Sequence, residues 1–251
     1  MNETTRHQSE LAYRRLVLKL SGDALADPSG CGVDATRAAE IAGRVAAVHA
    51  LGAEIVIVIG GGNLWRGHVG VDQGMNQAQA DSMGMLATVI NGLALQDALE
   101  RCGIVTRVQT AVHMNTLAEP YIRLRAVRHL EKGRIVISAG GTGNPYFTTD
   151  TAAALRAAEL GADVFIKATK VDGVFSADPE IHPEAERFSH LSYREVLAGK
   201  FLVMDMTAVT LCEENRMPIL VLDFWREDAL VDALLGVSQA NGGTLIDGAT
   251  A

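Results

Sequence analysis

The amino-acid sequence predicts an α/β fold, a three-layer αβα sandwich with a mostly parallel central sheet. Three observations carry that reading. Short β-branched runs alternate with amphipathic helical stretches along the chain. The runs are continuously apolar rather than alternating, as strands read when helices cover both faces of a parallel sheet. No Pro/Ser-rich linker and no internal repeat divides the 251 residues. A single domain over 14–247 is therefore expected, after a flexible N-terminal tail at 1–13.

The elements follow in order. RLVLKLS (15–21) is the first strand. A helical pattern opens at Asp34, a good N-cap, and closes at Gly52, a residue type suited to the left-handed position after a helix. EIVIVIG (54–60) is the second strand, followed by a long helix from Gln77 to Gly103. TRVQTAV (106–112), a helix over 117–132, RIVIS (134–138), a helix over 150–161 and DVFIKAT (163–169) continue the alternation. The turn-rich stretch 170–192 holds Asp172-Gly173, a hairpin signal, and reads as a flap at one end of the sheet. Ser192 and Glu195 have capping-box spacing and start a short helix. Helices over 205–216 and 226–236 flank the last strand, PILVLDF (218–224).

Composition narrows the function. Hydrophobic residues make up 48% and aromatics only 5%, so Val, Ile, Leu and Ala must build the core. A net charge of −8 argues against a general nucleic-acid binder, whose affinity rests on basic surface, but leaves a small anionic ligand open. Cys31, Cys102 and Cys212 are far apart and form no CxxC or Cys/His metal cluster, which fits a reducing cytoplasm. MNETTRHQSELAY lacks the apolar core of a signal peptide, and no run approaches the ~20 apolar residues of a membrane span. A cytoplasmic protein without membrane partners is expected.

Ligands of open α/β sheets sit beyond the carboxyl ends of the strands. Lys19-Leu-Ser21-Gly22-Asp23 follows the first strand and Gly60-Gly-Gly-Asn63-Leu-Trp-Arg66-Gly67 the second. SAGGTGNPYFTTD (138–150) follows the fourth and Thr169-Lys170-Val-Asp172-Gly173 the fifth. Glycine, hydroxyl and cation recur, the composition of an anion cradle in which backbone N–H groups, helix N-termini and Lys/Arg share the charge. Two Gly-rich loops suggest two phosphate-bearing ligands, or one spanning both. GGGN alone reads equally as a tight turn, and Asp150 equally as a helix cap. Lys19 inside a buried strand is costly without a partner, which favours function. Neither GxxxxGK[ST] nor a GxGxxG opening a helix after a strand is present, so the common phosphate fingerprints are excluded.

KLSGDAL (19–25), IGGGNLWRG (59–67), MGMLATVINGLALQDAL (83–99), GTGNPYFTTD (141–150) and KATKVDGVFSADP (167–179) together resemble the bacterial UMP kinases, a branch of the amino-acid kinase fold. The resemblance runs from about Tyr13 to Ile246. KVDGVFSADP is shared in form with aspartate and glutamate kinases; GGGNLWRG and GTGNPYFTTD are more specific. The resemblance implies transfer of the ATP γ-phosphoryl group to UMP in pyrimidine nucleotide biosynthesis, with Mg²⁺ bound alongside ATP. It assigns Lys19, Leu20, Ser21, Gly22, Gly62, Arg66, Thr169, Phe175 and Asp178 to ATP. It assigns Gly61, Asp81, Thr142, Gly143, Asn144, Pro145, Tyr146, Phe147, Thr148 and Thr149 to UMP. Lys19 and Lys167 would flank the transferring group, Arg66 would assist, and Asp150 would orient the lysines. Lys170 is close enough in sequence to compete with Lys167. Asp205 matches another acidic position of the family, with a helix-cap role as its alternative.

The resemblance also implies a homohexamer built from dimers, with GTP as activator and UTP as inhibitor; the helix at 77–102, apolar around much of its circumference, is the candidate dimer face. The chain departs from the family at Asp23, where Glu is common, at the doubled glycine before Thr142, and at Gln96, where arginine is often found. The GTP-associated region aligns with Asp27–Gly32. Other readings are a kinase of the same fold acting on a carboxylate or carbamate, a non-catalytic oxyanion binder, and a nicotinamide-dependent oxidoreductase. The FTTD loop, the lysine pair with Asp150, and the missing dinucleotide fingerprint argue against each in turn.

Overall fold

The computed structural model describes residues 11–249 apart from 180, 183, 200, 202 and 238–240. The chain runs through β1 (Arg15–Leu20), α1 (Ala35–His49), β2 (Glu54–Ile59), α2 (Gly67–Asp72), α3 (Gln77–Arg101), β3 (Thr106–Thr110) and β4 (Glu119–Pro120). It continues through α4 (Arg123–Glu131), β5 (Ile135–Ala139), α5 (Thr149–Leu160), β6 (Val164–Thr169), β7 (Val174–Phe175), β8 (Arg187–Phe188) and β9 (His190–Ser192). The last elements are α6 (Tyr193–Gly199), α7 (Met206–Asn215), β10 (Ile219–Asp223), α8 (Ala229–Leu234) and β11 (Thr244–Asp247). One nine-stranded sheet has the order β4-β3-β5-β2-β1-β6-β10-β11-β9. It is parallel from β4 to β10; β11 runs antiparallel to β10 and carries β9 alongside it. The ribbon β7–β8 stands apart.

The continuous apolar runs serve two cores. Leu16, Leu18, Ile57, Ile166 and Leu222 face α1, α3 and α8. Val17, Val58, Phe165 and Val221 face α4, α5 and α7. Each strand thus alternates between two apolar layers, which hides the period of two that a half-exposed strand would show. The same alternation places Lys19 and Lys167 on the α5 side, with Val17 and Phe165. α5 presents Ala152, Ala153 and Ala157, all fully buried, so its first turn can lie close over the sheet.

All six expected strands are present, with ends shifted by a residue or two. The helix expected over 117–132 begins only at Arg123: Glu119–Pro120 pairs with β3 instead, and proline suits an edge strand because it lacks the donor a central strand needs. The Asp172-Gly173 pair does not turn a hairpin. It precedes β7, and the ribbon closes through residues 176–186. Residues 1–10 of the expected tail lie outside the described residues. Leu11 and Tyr13 pack on the core, and the Ala12 amide donates to the Leu234 carbonyl. Among the described residues no helix is long and apolar enough to cross a membrane.

Candidate active site

Parallel pairing of β1 with β6 sets Lys19 directly beside Lys167. In-register residues of neighbouring strands point to the same face, so both ammonium groups rise toward the first turn of α5. Asp150 meets them there. Its Oδ2 accepts from Lys167 Nζ at 2.6 Å, and Lys19 Nζ lies 2.9 Å from Oδ1 as an ion pair, off the line of a hydrogen bond. Asp150 is 9% exposed. Burial alone would raise its carboxyl, but the two ammonium charges outweigh that and hold it below the usual carboxylate range. Burial pulls Lys167 below the usual lysine range; Asp150 opposes the shift and the Lys19 charge adds to it.

Asp150 is not the helix cap. Thr148 takes that position, its hydroxyl accepting from the Asp150 and Thr151 amides at 3.1 and 3.2 Å. Asp205 caps α7 by accepting from the Ala208 amide at 2.9 Å. The same carboxylate accepts from the hydroxyls of Thr148 and Thr151, so it also ties the N-termini of α5 and α7 together. The helix-cap alternative for Asp205 is thus realised.

The loops after β1 and β2 interlock. A Cβ on Gly22 would lie 2.6 Å from Asn63 Oδ1, 2.7 Å from the Gly62 nitrogen and 2.8 Å from the Gly60 oxygen. Only glycine fits there. Asn91, fully buried in α3, donates to the Gly60 carbonyl at 2.7 Å and exchanges amide hydrogen bonds with Asn63. Arg66 donates to the Gly62 carbonyl at 3.2 Å and to Asp23 Oδ1 at 2.9 Å, which holds its guanidinium over the two loops. Leu20 sends its side chain into the core, so only its backbone reaches the loop.

Two clefts are lined by residues close to this triad along the chain, though not by Lys19, Lys167 or Asp150 themselves. One, of about 540 Å³, is lined by Thr169, Phe175, Asp178, Gly199, Phe201 and Val203. It begins two residues beyond Lys167. The second, of about 250 Å³, is lined by Gly61, Gly62, Trp65, Asp81, Met85 and Asn144, with Phe147, Thr148 and Thr149 running up to Asp150. Gly62, expected on the ATP side, lines this second cleft and not the first. Thr142, Gly143, Pro145 and Tyr146 do not line it; they form the back of the loop, where Thr142 Oγ1 accepts from the Asn144 amide. The Tyr146 amide donates to Asp81 Oδ2 at 2.8 Å, and Tyr146 adopts φ 70°. Gly140, at φ 75°, starts the loop where a Cβ would come within 2.7 Å of Thr110 Oγ1. A larger cleft of about 630 Å³ between α1 and α8 contains none of these residues.

Lys170 makes no contact with Asp150 and lines a cleft with Asp23, Arg66 and Trp225. Sequence reasoning missed Asn91, Thr88 and Arg156. Thr88 Oγ1 accepts from the Gly140 amide at 2.8 Å. Arg156, 4% exposed, stacks on Tyr121 and donates to Ser138 beneath the loop. A polar residue on the inward stripe of a predicted helix is the available signal for Asn91 and Thr88; Arg156 offered none.

The amino acid kinase family model matches residues 14–223. The crystal structure of UMP kinase from Bacillus anthracis is 40% identical, with a TM-score of 0.91 over 95% of this chain and 97% of that one. UMP kinase from Ureaplasma parvum is 35% identical, with a TM-score of 0.87 over 93% of this chain and 98% of that one. With the lysine pair, the interlocked glycine loops and the two clefts in place along the matched region, the chain belongs to the amino acid kinase family.

Proposed function

We propose that this chain is a UMP kinase, transferring the γ-phosphoryl group of ATP to UMP to give UDP and ADP. One observation carries the reading: Asp150 is held between Lys19 and Lys167, with its neighbour Thr149 lining one cleft and Thr169, two residues past Lys167, lining another. Its setting, in a chain 40% and 35% identical to two UMP kinases over nearly their full length, supports the choice of substrates.

ATP occupies the larger cleft, its adenosine against Thr169, Phe175 and Asp178. The amides of Ser21, Gly22 and Gly62 and the Arg66 guanidinium receive its phosphates. UMP occupies the smaller cleft, with Asp81 toward its ribose and its phosphate at the N-terminus of α5. A UMP phosphate oxygen forms the new bond to the γ-phosphorus. The bond from that phosphorus to the β–γ bridging oxygen breaks, and its electron pair stays on ADP. The attacking phosphate is already anionic at pH 7, so no strong base is needed. The task is to bring two anions together, and Lys19 and Lys167 do this by neutralising the oxygens between them. Asp150 is a positioning residue that holds both ammonium groups in place.

Among the described residues no three His, Cys, Asp or Glu side chains cluster to hold a metal ion. A Mg²⁺ ion bound with the triphosphate would supply charge neutralisation. The proposal extends to a cytoplasmic homohexamer with GTP as activator and UTP as inhibitor. In support of self-association, α3 leaves Leu86 and Ile90 about half exposed.

The test is coupled ADP release with ATP and each of UMP, CMP, dTMP and glutamate, beside Lys19→Ala. Turnover with UMP alone is expected, falling by ~10²–10³ in the variant. Turnover with glutamate would replace the reading with an amino-acid substrate. ATP binding without turnover on any acceptor would replace it with a binding role.

A further inference from the structure

We propose that Lys170 is a donor-phosphate ligand, contacting the β-phosphate that stays with ADP. The assignment rests on the kinase reading above and adds a residue to it. Sheet order sets the path of the triphosphate. The loops at Gly60–Asn63, Ser21–Asp23 and Lys170 follow β2, β1 and β6, which are neighbours in that order. The adenosine cleft lies on the β6–β10 side. A triphosphate reaching from that cleft to the glycine loops must cross the carboxyl end of β6, where Lys170 stands.

The charge around it points the same way. Lys170 lines a cleft of about 360 Å³ with Asp23, Asp27, Arg37 and Arg66. Arg66 is already paired with Asp23, at 2.9 Å, and Arg37 with Glu40, at 3.0 Å. Arg44, in the adjoining recess, donates to the carbonyls of Trp225 and Arg226. Lys170 alone of these cations has no ion pair or hydrogen bond among the described residues. Its base is fixed nonetheless. Thr169 Oγ1 accepts from the Val171 amide at 3.3 Å, and the Thr169 carbonyl accepts from the Phe224 amide at 3.1 Å. An uncommitted ammonium on a fixed backbone can close on a phosphate without first breaking an internal contact. Its value rises during the reaction, because the breaking bond leaves its electron pair on ADP.

The experiment compares ADP and AMP binding by calorimetry in the full-length wild type, Lys170→Gln, Lys170→Arg and a Lys132→Gln control for loss of one exposed charge. Steady-state rates are measured alongside. Lys170→Gln is expected to weaken ADP about tenfold, the low end for a charge-assisted hydrogen bond at an exposed site, and to leave AMP unchanged. KM for ATP should rise while KM for UMP stays, and Lys170→Arg should restore both. Unchanged ADP affinity in Lys170→Gln would overturn the assignment. So would equal losses for ADP and AMP, which mark a role in shaping the adenosine cleft. A wild type that binds neither nucleotide would overturn the kinase reading itself. Binding of ADP and AMP does not depend on the acceptor, so the two failures are distinct.

Discussion

Asp150→Asn tests the centre of the site. The substitution keeps the shape of the side chain and removes the charge that two buried lysines share. At an effective dielectric of ~20, an opposite charge 2.6 to 2.9 Å away is worth about 6 kcal/mol to each ammonium. Most of that offsets the desolvation of the lysines. Removing one partner of a buried pair leaves a net loss of about 3–5 kcal/mol. For a chain of this size that is a drop of about 6–20 °C in melting temperature. The pH dependence gives a sharper signature. In the wild type the Asp150 carboxyl lies below its unfolded value, so its contribution is complete above the unfolded pKa of about 4 and is lost as pH falls through the folded value. In the variant, Lys167 loses its counter-charge and falls further below its usual range. The folded state then releases a proton that the unfolded chain keeps to about pH 10, so the variant regains stability as pH rises. Urea unfolding at pH 6, 7 and 9 should show the gap between the two proteins narrowing. A gap below about 1 kcal/mol at pH 7, or one that stays constant to pH 9, would refute the reasoning.

Three further outcomes follow from contacts elsewhere. Gly22→Ala drives a methyl group against two backbone atoms that cannot yield; it should cost about 1–3 kcal/mol and raise KM for ATP at least tenfold in initial-rate assays. Asn91→Ala strands the Gly60 carbonyl and the Asn63 amide in a buried site, and chemical denaturation should register a loss of about 2–3 kcal/mol. Cys212 is buried with its thiol pushed up to about 12, whereas Cys31 and Cys102 are exposed; a disulfide-exchange reagent should titrate two thiols in the native protein and the third only after unfolding.

The sequence showed the strands clearly because a strand buried on both faces is a long apolar signal. It hid β9 and β11 for the opposite reason. His190–Ser192, at the sheet edge, and Thr244–Asp247, beside it, are short and offer one or two apolar residues each. Asp172-Gly173 misled as a hairpin signal because Gly173 answers a different demand: a Cβ there would lie 2.5 Å from Thr244 Oγ1, the group that accepts from the Val174 amide. In the site, Lys19 was legible from its cost in a buried strand. Arg156 was not, since an arginine in an alanine-rich helix reads as surface until Tyr121 and Ser138 are known to surround it.

The choice between cap and site residue for Asp150 turns on two positions of chain. An aspartate at the N-cap commits its oxygens to the amides of the helix it starts, as Asp34 does toward Thr36 and Arg37. Asp150 stands two residues past the cap. Thr148 has taken the amides, and Asp205 steadies Thr148 from α7. The Asp150 side chain is thereby released from capping while its charge still benefits from the first turn of α5. In-register pairing then supplies what one strand alone could not: two ammonium groups side by side, each too costly to bury by itself, at the spacing a single carboxylate can bridge. The FTTD segment thus divides its work, with threonine fixing the helix and aspartate free to hold the lysines. That division sets two cations side by side on one carboxylate, the arrangement that the proposed transfer between two phosphates would use.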